Sequence, residues 1–355
     1  MGTIKGRGAT ENDASMRFNL PQREADGDWL DALPEVDGEP PQLRTVVTIE
    51  RPRTIITRNT SPDIGFDRSI NAYRGCEHGC IYCFARPSHA YHDLSPGLDF
   101  ETKLFAKPGA PELLRQELSK RHYKVAPLAM GTNTDPYQPI EGQWRITRQC
   151  IEILAETRHP LIITTKSNRV VRDVDLLGAM AADNLTAVAV SITSLTATIA
   201  RTLEPRAPHP EKRLAAVAML TQAGIPTFVN IAPVVPAITD HEMEEIVERA
   251  AQAGAIGANF MIVRLPHEVS PLFRAWLDAH YPDRASKVMN IIRAMKGGRD
   301  NDPRFHGRMR AQGIWGELFK TRFKKALARH GLEPKRLSLR TDLFRPPQGD
   351  QLSLF

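Results

Sequence analysis

Asn71-Ala-Tyr-Arg-Gly-Cys-Glu-His-Gly-Cys-Ile-Tyr-Cys-Phe-Ala-Arg-Pro87 gathers three of the four cysteines of this 355-residue chain into one short loop. Cys76, Cys80 and Cys83 are spaced C-x3-C-x2-C, and Cys150 stands 67 residues beyond Cys83. Iron–sulfur clusters are ordinarily closed by four cysteine thiolates. Three thiolates hold three corners of a cube and leave one iron open, and an open metal position marks a reactive centre, as it does in zinc enzymes. The competing reading is a zinc site with His78 or His89 as fourth ligand. Zinc sites usually show two separated ligand pairs, a pattern this loop lacks. Gly75 and Gly79 let the backbone wrap closely around whatever the thiolates hold.

On both sides of this loop, strand-like apolar runs alternate with amphipathic helical ones. Two short strands, at Val46–Ile49 and 54–57, precede it. Further strands are expected at 70–73, 125–131, Leu161–Thr165, 187–192, 227–231 and 258–263, with helices near 110–121, 144–158, 173–182, 210–223 and 240–253 between them. Asp240, Glu242, Glu244 and Glu245 favour the positive end of one helix dipole, and Gly224 and Gly254 suit helix C-caps. Six βα units in series predict an α/β fold with a parallel sheet, open or closed. In such sheets function collects at the C-terminal ends of the strands. The cysteine loop, residues 131–141, Lys166, Ser191 and Arg264 all fall there.

Cys-x3-Cys-x2-Cys after the first strand of a βα series resembles the radical S-adenosylmethionine (SAM) superfamily. The stretch from Ser61-Pro-Asp-Ile-Gly-Phe-Asp67 through Ala90-Tyr91, with Gly131-Thr-Asn-Thr-Asp-Pro-Tyr-Gln-Pro-Ile-Glu141, Thr164-Thr-Lys-Ser167 and Glu204-Pro-Arg-Ala207, extends the likeness to the spore photoproduct lyase-like, DNA repair photolyase-like branch, over roughly residues 45–330. The resemblance implies a partial (β/α)6 TIM-like barrel with a C-terminal helical extension. It also implies a [4Fe–4S] cluster on Cys76, Cys80 and Cys83, with SAM chelating the fourth iron. Reductive cleavage of SAM would yield a 5′-deoxyadenosyl radical that abstracts a substrate hydrogen, the cofactor carrying the hard chemistry. A flavodoxin or ferredoxin would donate the electron.

The same resemblance suggests roles for individual residues. Phe84 follows the last cysteine where relatives place an aromatic near the adenine; Tyr is frequent there, so a hydroxyl contact is absent here. Asn133 lies in a loop facing SAM or substrate, Lys166 resembles the branch's SAM-contacting lysine, and Ser191 a ribose-contacting serine. Glu204 and Arg206 form a mouth-lining pair or bind a carboxylate, and Arg264 is a third candidate, with ordinary surface pairing as the alternative for all three. Spore photoproduct lyase itself has a hydrogen-donor cysteine in the loop that resembles residues 131–141, near the place of Gly131. Its absence here argues against the same lesion-reversing cycle unless another residue, such as Tyr137, returns the hydrogen. Cys150, amid Ile151, Ile153 and Leu154, reads as a small apolar core residue.

Charge is distributed unevenly. Residues 1–42 hold nine acidic and four basic side chains and read as a disordered acidic tail, followed by lead-in strands over 43–68 and the barrel over 69–266. A basic helical extension, 267–345, includes twelve Lys and Arg against three acids between Arg304 and Arg345, net +9. Such a segment attracts polyanions, or is simply a solvated helix face. The tail 346–355 is expected to be flexible and ends in Gln351-Leu-Ser-Leu-Phe355, which matches peptides that dock on the bacterial sliding clamp by burying leucine and an aromatic in a groove. With 41% apolar and 25% charged residues, no apolar run of membrane-span length and no disulfide pattern, the expectation is a cytoplasmic globular protein. The function expected is radical SAM chemistry on DNA or a nucleic-acid-derived substrate. Alternatives are a protein or small-molecule substrate, or a non-enzymatic, metal-stabilised nucleic-acid-binding module.

Overall fold

The computed structural model describes residues 4–17, 43–332 and 337–347. Residues 18–42 of the expected acidic tail and the clamp-like pentapeptide lie outside them. Among the described residues ten strands form two sheets: β1 (Val46–Ile49), β2 (Ile56–Arg58), β3 (Arg68–Ile70), β4 (Tyr73–Arg74), β5 (Lys103–Ala106), β6 (Leu128–Met130), β7 (Leu161–Thr165), β8 (Thr186–Ser191), β9 (Thr227–Val234) and β10 (Gly257–Ile262). The main sheet runs β10-β9-β8-β7-β6-β3-β2, with six parallel strands and β2 antiparallel at one edge. Its two edges are not joined, so it is a partial (β/α)6 barrel, as the resemblance implied.

The connecting helices are α1 (Ala110–Leu118), α2 (Ile146–Glu156), α3 (Val174–Ala182), α4 (Pro210–Gln222) and α5 (Met243–Gln252). Their boundaries follow local chemistry. Pro210 opens α4, where its missing N–H matters least. Beyond the ends of α4 and α5, Gly224 and Gly254 take φ of 74° and 86°, the left-handed conformation of a helix C-cap. Strand β7 alternates buried and half-buried residues, whereas β8, between β7 and β9 and packed on by α3 and α4, is buried almost throughout. Past the barrel, α6 (Val269–His280) and α7 (Pro282–Met295) lead to α8 (Gly313–Arg329), which packs on α5 and β10. The helical extension therefore serves as the missing outer layer of the last strand.

Four local expectations differ. The first barrel strand ends at Ile70, and Tyr73–Arg74 joins a second sheet, β1-β5-β4. Strand β5, which that sheet requires, has no clear alternating pattern and was not expected. The edge strand begins at Ile56 instead of at 54. Residues 4–17, expected as part of a disordered tail, pack into the protein: Ala9 is fully buried, and the backbone N–H groups of Gly8 and Ala9 donate to Glu101 at 3.0 and 2.9 Å. At the other end, residues 338–347 cross the base of the barrel without forming a helix. There Arg340 and Arg345 donate backbone N–H groups to Asn184 O and Thr157 O.

Candidate active site

Gly75 and Gly79 bound the first turn of the cysteine loop with φ of 70° and 67°. Backbone bonds fix it further: Cys76 N donates to Phe100 O at 3.0 Å, and Ile81 N to Leu203 O at 3.1 Å. Behind the loop lies Arg86, fully buried, donating to the carbonyls of Gly79, Cys80, Pro96 and Gly97 and paired at 2.5 Å with the fully buried Glu101. A buried charge pair holds only when its remaining donors and acceptors are met. Here Gly8 and Ala9 supply the last donors to Glu101. Gly8 approaches so closely that a Cβ there would stand 1.9 Å from Gly79 O.

Cys76 and Cys80 are buried, Cys83 is half-buried, and all three face one cavity of about 280 Å³ at the C-terminal ends of the parallel strands. Burial pushes all three thiols above the ordinary thiol range, so their thiolates need a cation. Among the described residues no three His, Cys, Asp or Glu side chains converge as they would on a single ion. Three soft donors around one cavity suit a cluster in which each thiolate meets its own iron. His89, a candidate zinc ligand, instead has Nε2 2.9 Å from Lys103 O and packs on Phe100 and Phe105. His78 lines the cavity with Nδ1 3.4 Å from Asp135.

Opposite the cysteines the cavity is lined by Asn133, Asp135, Lys166, Ser191, Asn230 and Arg264. Phe84 also lines it and is 52% exposed, an aromatic face open to a ligand. Asp135 organises the polar wall, accepting from Thr165 Oγ1 and from the Lys166 backbone N–H, each at 2.7 Å. Burial would raise its carboxyl, but His78 and these donors bring it down to about 2. Lys166 Nζ lies 3.4 Å from Ala232 O, 3.9 Å from Glu204 and over the Tyr82 ring. Glu204 is buried beneath the floor, bonded to Tyr82, Thr193 and Arg213. Against the penalty of burial, Arg213 and then Lys166 hold it ionised, at about 2.

Of the residues singled out in the sequence, Cys76, Cys80, Cys83, Phe84, Asn133, Lys166, Ser191 and Arg264 share this cavity. Arg206 does not line it: its guanidinium lies 3.2 Å from Glu77. Tyr137 is also outside it. The turn at Asp135 sends that ring into the core, where it is fully buried under Arg172, and burial together with Asp173 holds the phenol well above its ordinary range. Glu204 sits under the cavity and not on its rim. Tyr82 and Asp135 went unremarked or undervalued, though each stands inside a motif, between two cysteines and in the middle of residues 131–141. Gly131 has φ of 90°, and a Cβ there would meet Thr164 O at 1.9 Å. The backbone thus accounts for glycine at position 131.

The radical SAM superfamily model matches residues 70–250. An uncharacterized protein of Mycobacterium tuberculosis is 36% identical over 230 residues, covering 64% of this chain and 68% of that one. An uncharacterized protein of Methanocaldococcus jannaschii is 27% identical over 221 residues, covering 62% and 79%. Among solved structures, spore photoproduct lyase complexed with dinucleoside spore photoproduct superposes with a TM-score of 0.55 at 16% identity, covering 81% of this chain and 80% of the lyase. A lyase variant with bound AdoMet and the same dinucleoside gives 0.54 at 15% identity over the same shares. At these identities the likeness is one of fold. With the family match spanning more than half of the sequence and its cysteine motif facing a strand-end cavity, the chain belongs to the radical SAM superfamily.

Proposed function

We propose that the protein is a radical SAM enzyme that reductively cleaves SAM and acts on DNA or a nucleic-acid-derived substrate. Bound to Cys76, Cys80 and Cys83, a [4Fe–4S] cluster would supply the electron that cleaves SAM to methionine and a 5′-deoxyadenosyl radical. The observation that carries this reading is the gathering of the three thiols with Phe84, Asn133, Lys166 and Ser191 around one cavity. Phe84 would offer its ring to the adenine, and Ser191 a hydroxyl to the ribose. Asn133 and Lys166 would position the polar end of SAM, with the Lys166 backbone fixed by Asp135. Ala232, Pro233, Met261 and Ile262 give the cavity an apolar side that would limit water around a reactive species. The nucleic-acid part is supported by fold likeness to a lyase solved with a dinucleoside photoproduct and by the basic C-terminal segment. A flavodoxin or ferredoxin is the proposed electron source.

Gly131 and the buried Tyr137 argue for a different hydrogen-return step from that of the cysteine-bearing relatives. Anaerobic reconstitution with iron and sulfide, reduction, and incubation with SAM test the proposal. Formation of 5′-deoxyadenosine is expected, with loss of iron binding when Cys76, Cys80 or Cys83 is changed to alanine. A fully loaded, reduced protein that leaves SAM intact would end the enzyme reading.

A further inference from the structure

Among the described residues Arg264 forms no salt bridge, and Asp63 acts on it only from beyond contact. The arginine follows β10 and lines the cavity, its Nε is buried with no hydrogen-bond partner, and Nη1 has only Met309 Sδ at 3.1 Å. No carboxylate pairs with it among the described residues. Asp63 is engaged by Arg308 Nε at 2.5 Å and by the His306 backbone N–H at 2.6 Å. A half-buried guanidinium left this way gains most from an anion brought by a ligand, because charge-assisted bonds are strong where water is scarce.

The contact with Met309 joins Arg264 to a second feature. The segment before α8 and the first turns of that helix expose Phe305, Ile314, Trp315 and Leu318, at 57%, 88%, 39% and 43%. Large apolar side chains clustered on a surface usually mark a contact site. Here they are interspersed with base: from Arg304 to Arg329 there are eight Lys and Arg and one acid, Glu317. Phe305, Arg310 and Lys320 line one surface depression of about 630 Å³. Arg308 lies over the Phe305 ring, 4.7 Å from its centre. Arg304 and Lys320 are paired with Asp302 and Glu317, whereas Arg310, Lys324 and Lys325 have no acidic partner among the described residues.

We infer that this face, running from Arg264 in the cavity over Phe305 and Arg310 to the exposed side of α8, docks a single nucleic-acid strand, with Arg264 taking the phosphate beside the reacting nucleotide. Flat rings among unpaired cations suit a strand, whose bases stack on aromatics while its backbone meets positive charge. An acidic polypeptide would satisfy the cations but leave the rings without stacking partners. A wholly apolar partner would leave the cations desolvated. This inference rests on the nucleic-acid reading of the function and places the strand on the chain.

The test is fluorescence anisotropy with the cluster-loaded full chain and a labelled single-stranded oligonucleotide, at several salt concentrations. Phe305→Ala combined with Trp315→Ala is expected to weaken binding by about ten-fold or more, the scale of a lost base stack. Arg310→Gln and Arg264→Gln are each expected to lower the slope of log affinity against log salt by about one phosphate contact. Iron content and the thermal melt report whether each variant is folded and loaded. If the wild type binds and all of these variants bind equally well with the same salt slope, the docking face is wrong while the nucleic-acid reading stands. If the wild type binds no oligonucleotide even at low salt, both fall. Tighter binding of a poly-glutamate peptide through the same residues would overturn the strand in favour of an acidic protein.

Discussion

Gly131 shows how one backbone atom decides which chemistry a loop can hold. Strand β6 pairs with β7 through Met130 and Ile163, and the chain leaves β6 with φ of 90° while passing Thr164 O. A side chain here must both accept a left-handed backbone and displace a carbonyl of the neighbouring strand. The first demand costs about 1–3 kcal/mol, and the second adds to it because the obstacle is backbone. Gly297 offers a control, since its φ is 64° but open space surrounds it. Gly131→Cys and Gly131→Ala are therefore expected to lower stability by more than Gly297→Ala does, by about 2 kcal/mol or more. Comparing denaturant midpoints of the three variants checks this. Equal midpoints would mean that the loop can reshape, and that glycine at 131 is not dictated by Thr164.

At the scale of elements, the cysteine loop is held less by its own turn than by Arg86 just after it and, through Arg86, by Glu101 and the N-terminal segment. Arg86 fastens its carbonyls from behind, and Glu101 ties Arg86 to the N-terminal segment through Gly8 and Ala9. Outer partners of metal ligands commonly change metal retention about 10–100-fold when removed. Gly8→Ala places a Cβ 1.9 Å from Gly79 O, so the segment must lift away and leave Glu101 with fewer donors. Reconstituted Gly8→Ala protein is expected to lose iron to a chelator about ten-fold faster than wild type, with far-ultraviolet circular dichroism unchanged. Unaltered chelation kinetics would sink this account. None of this was legible beforehand, because residues 1–42 are acidic, rich in Gly, Pro and Asn, and lack periodicity. The signal that residues 4–17 fold lies in distant partners, Glu101 and Asp99, and not in local pattern. The barrel was legible for the opposite reason. Strands such as β7 and helices such as α2 carry their own apolar periodicity, and the cysteine spacing fixes which strand comes first. Strand β5 was missed because its four residues depend on pairing with β1 and β4. Tyr137 was misplaced because a polar loop gives no sign of which side chain turns inward.

On the scale of the whole molecule, the chain closes its barrel base with its own C-terminal segment. Phe344 packs edge-on against His159 at 5.4 Å and tilted against Tyr123 at 5.6 Å, so the segment after α8 returns to the start of β7. His159 is fully buried, with Nδ1 3.0 Å from Pro160 O and Nε2 2.8 Å from the Tyr123 hydroxyl. Both ring nitrogens are satisfied in the neutral form, Nδ1–H donating to the carbonyl and Nε2 accepting from the phenol. Burial holds the ring at about 4, below its ordinary 6.5. The folded state thus binds its proton less readily than the unfolded chain. The stabilisation is whole above pH 6.5 and drains away as the pH falls from 6.5 through 4, by up to about 3 kcal/mol at 1.36 kcal/mol per unit. His159→Gln cannot titrate, so its stability is expected to decline less steeply over that window, even if it starts lower for want of the tyrosine bond. Melting temperatures of the two proteins from pH 7.5 to 4 decide the point: parallel curves would show that His159 is not the group through which acid loosens the base of the barrel.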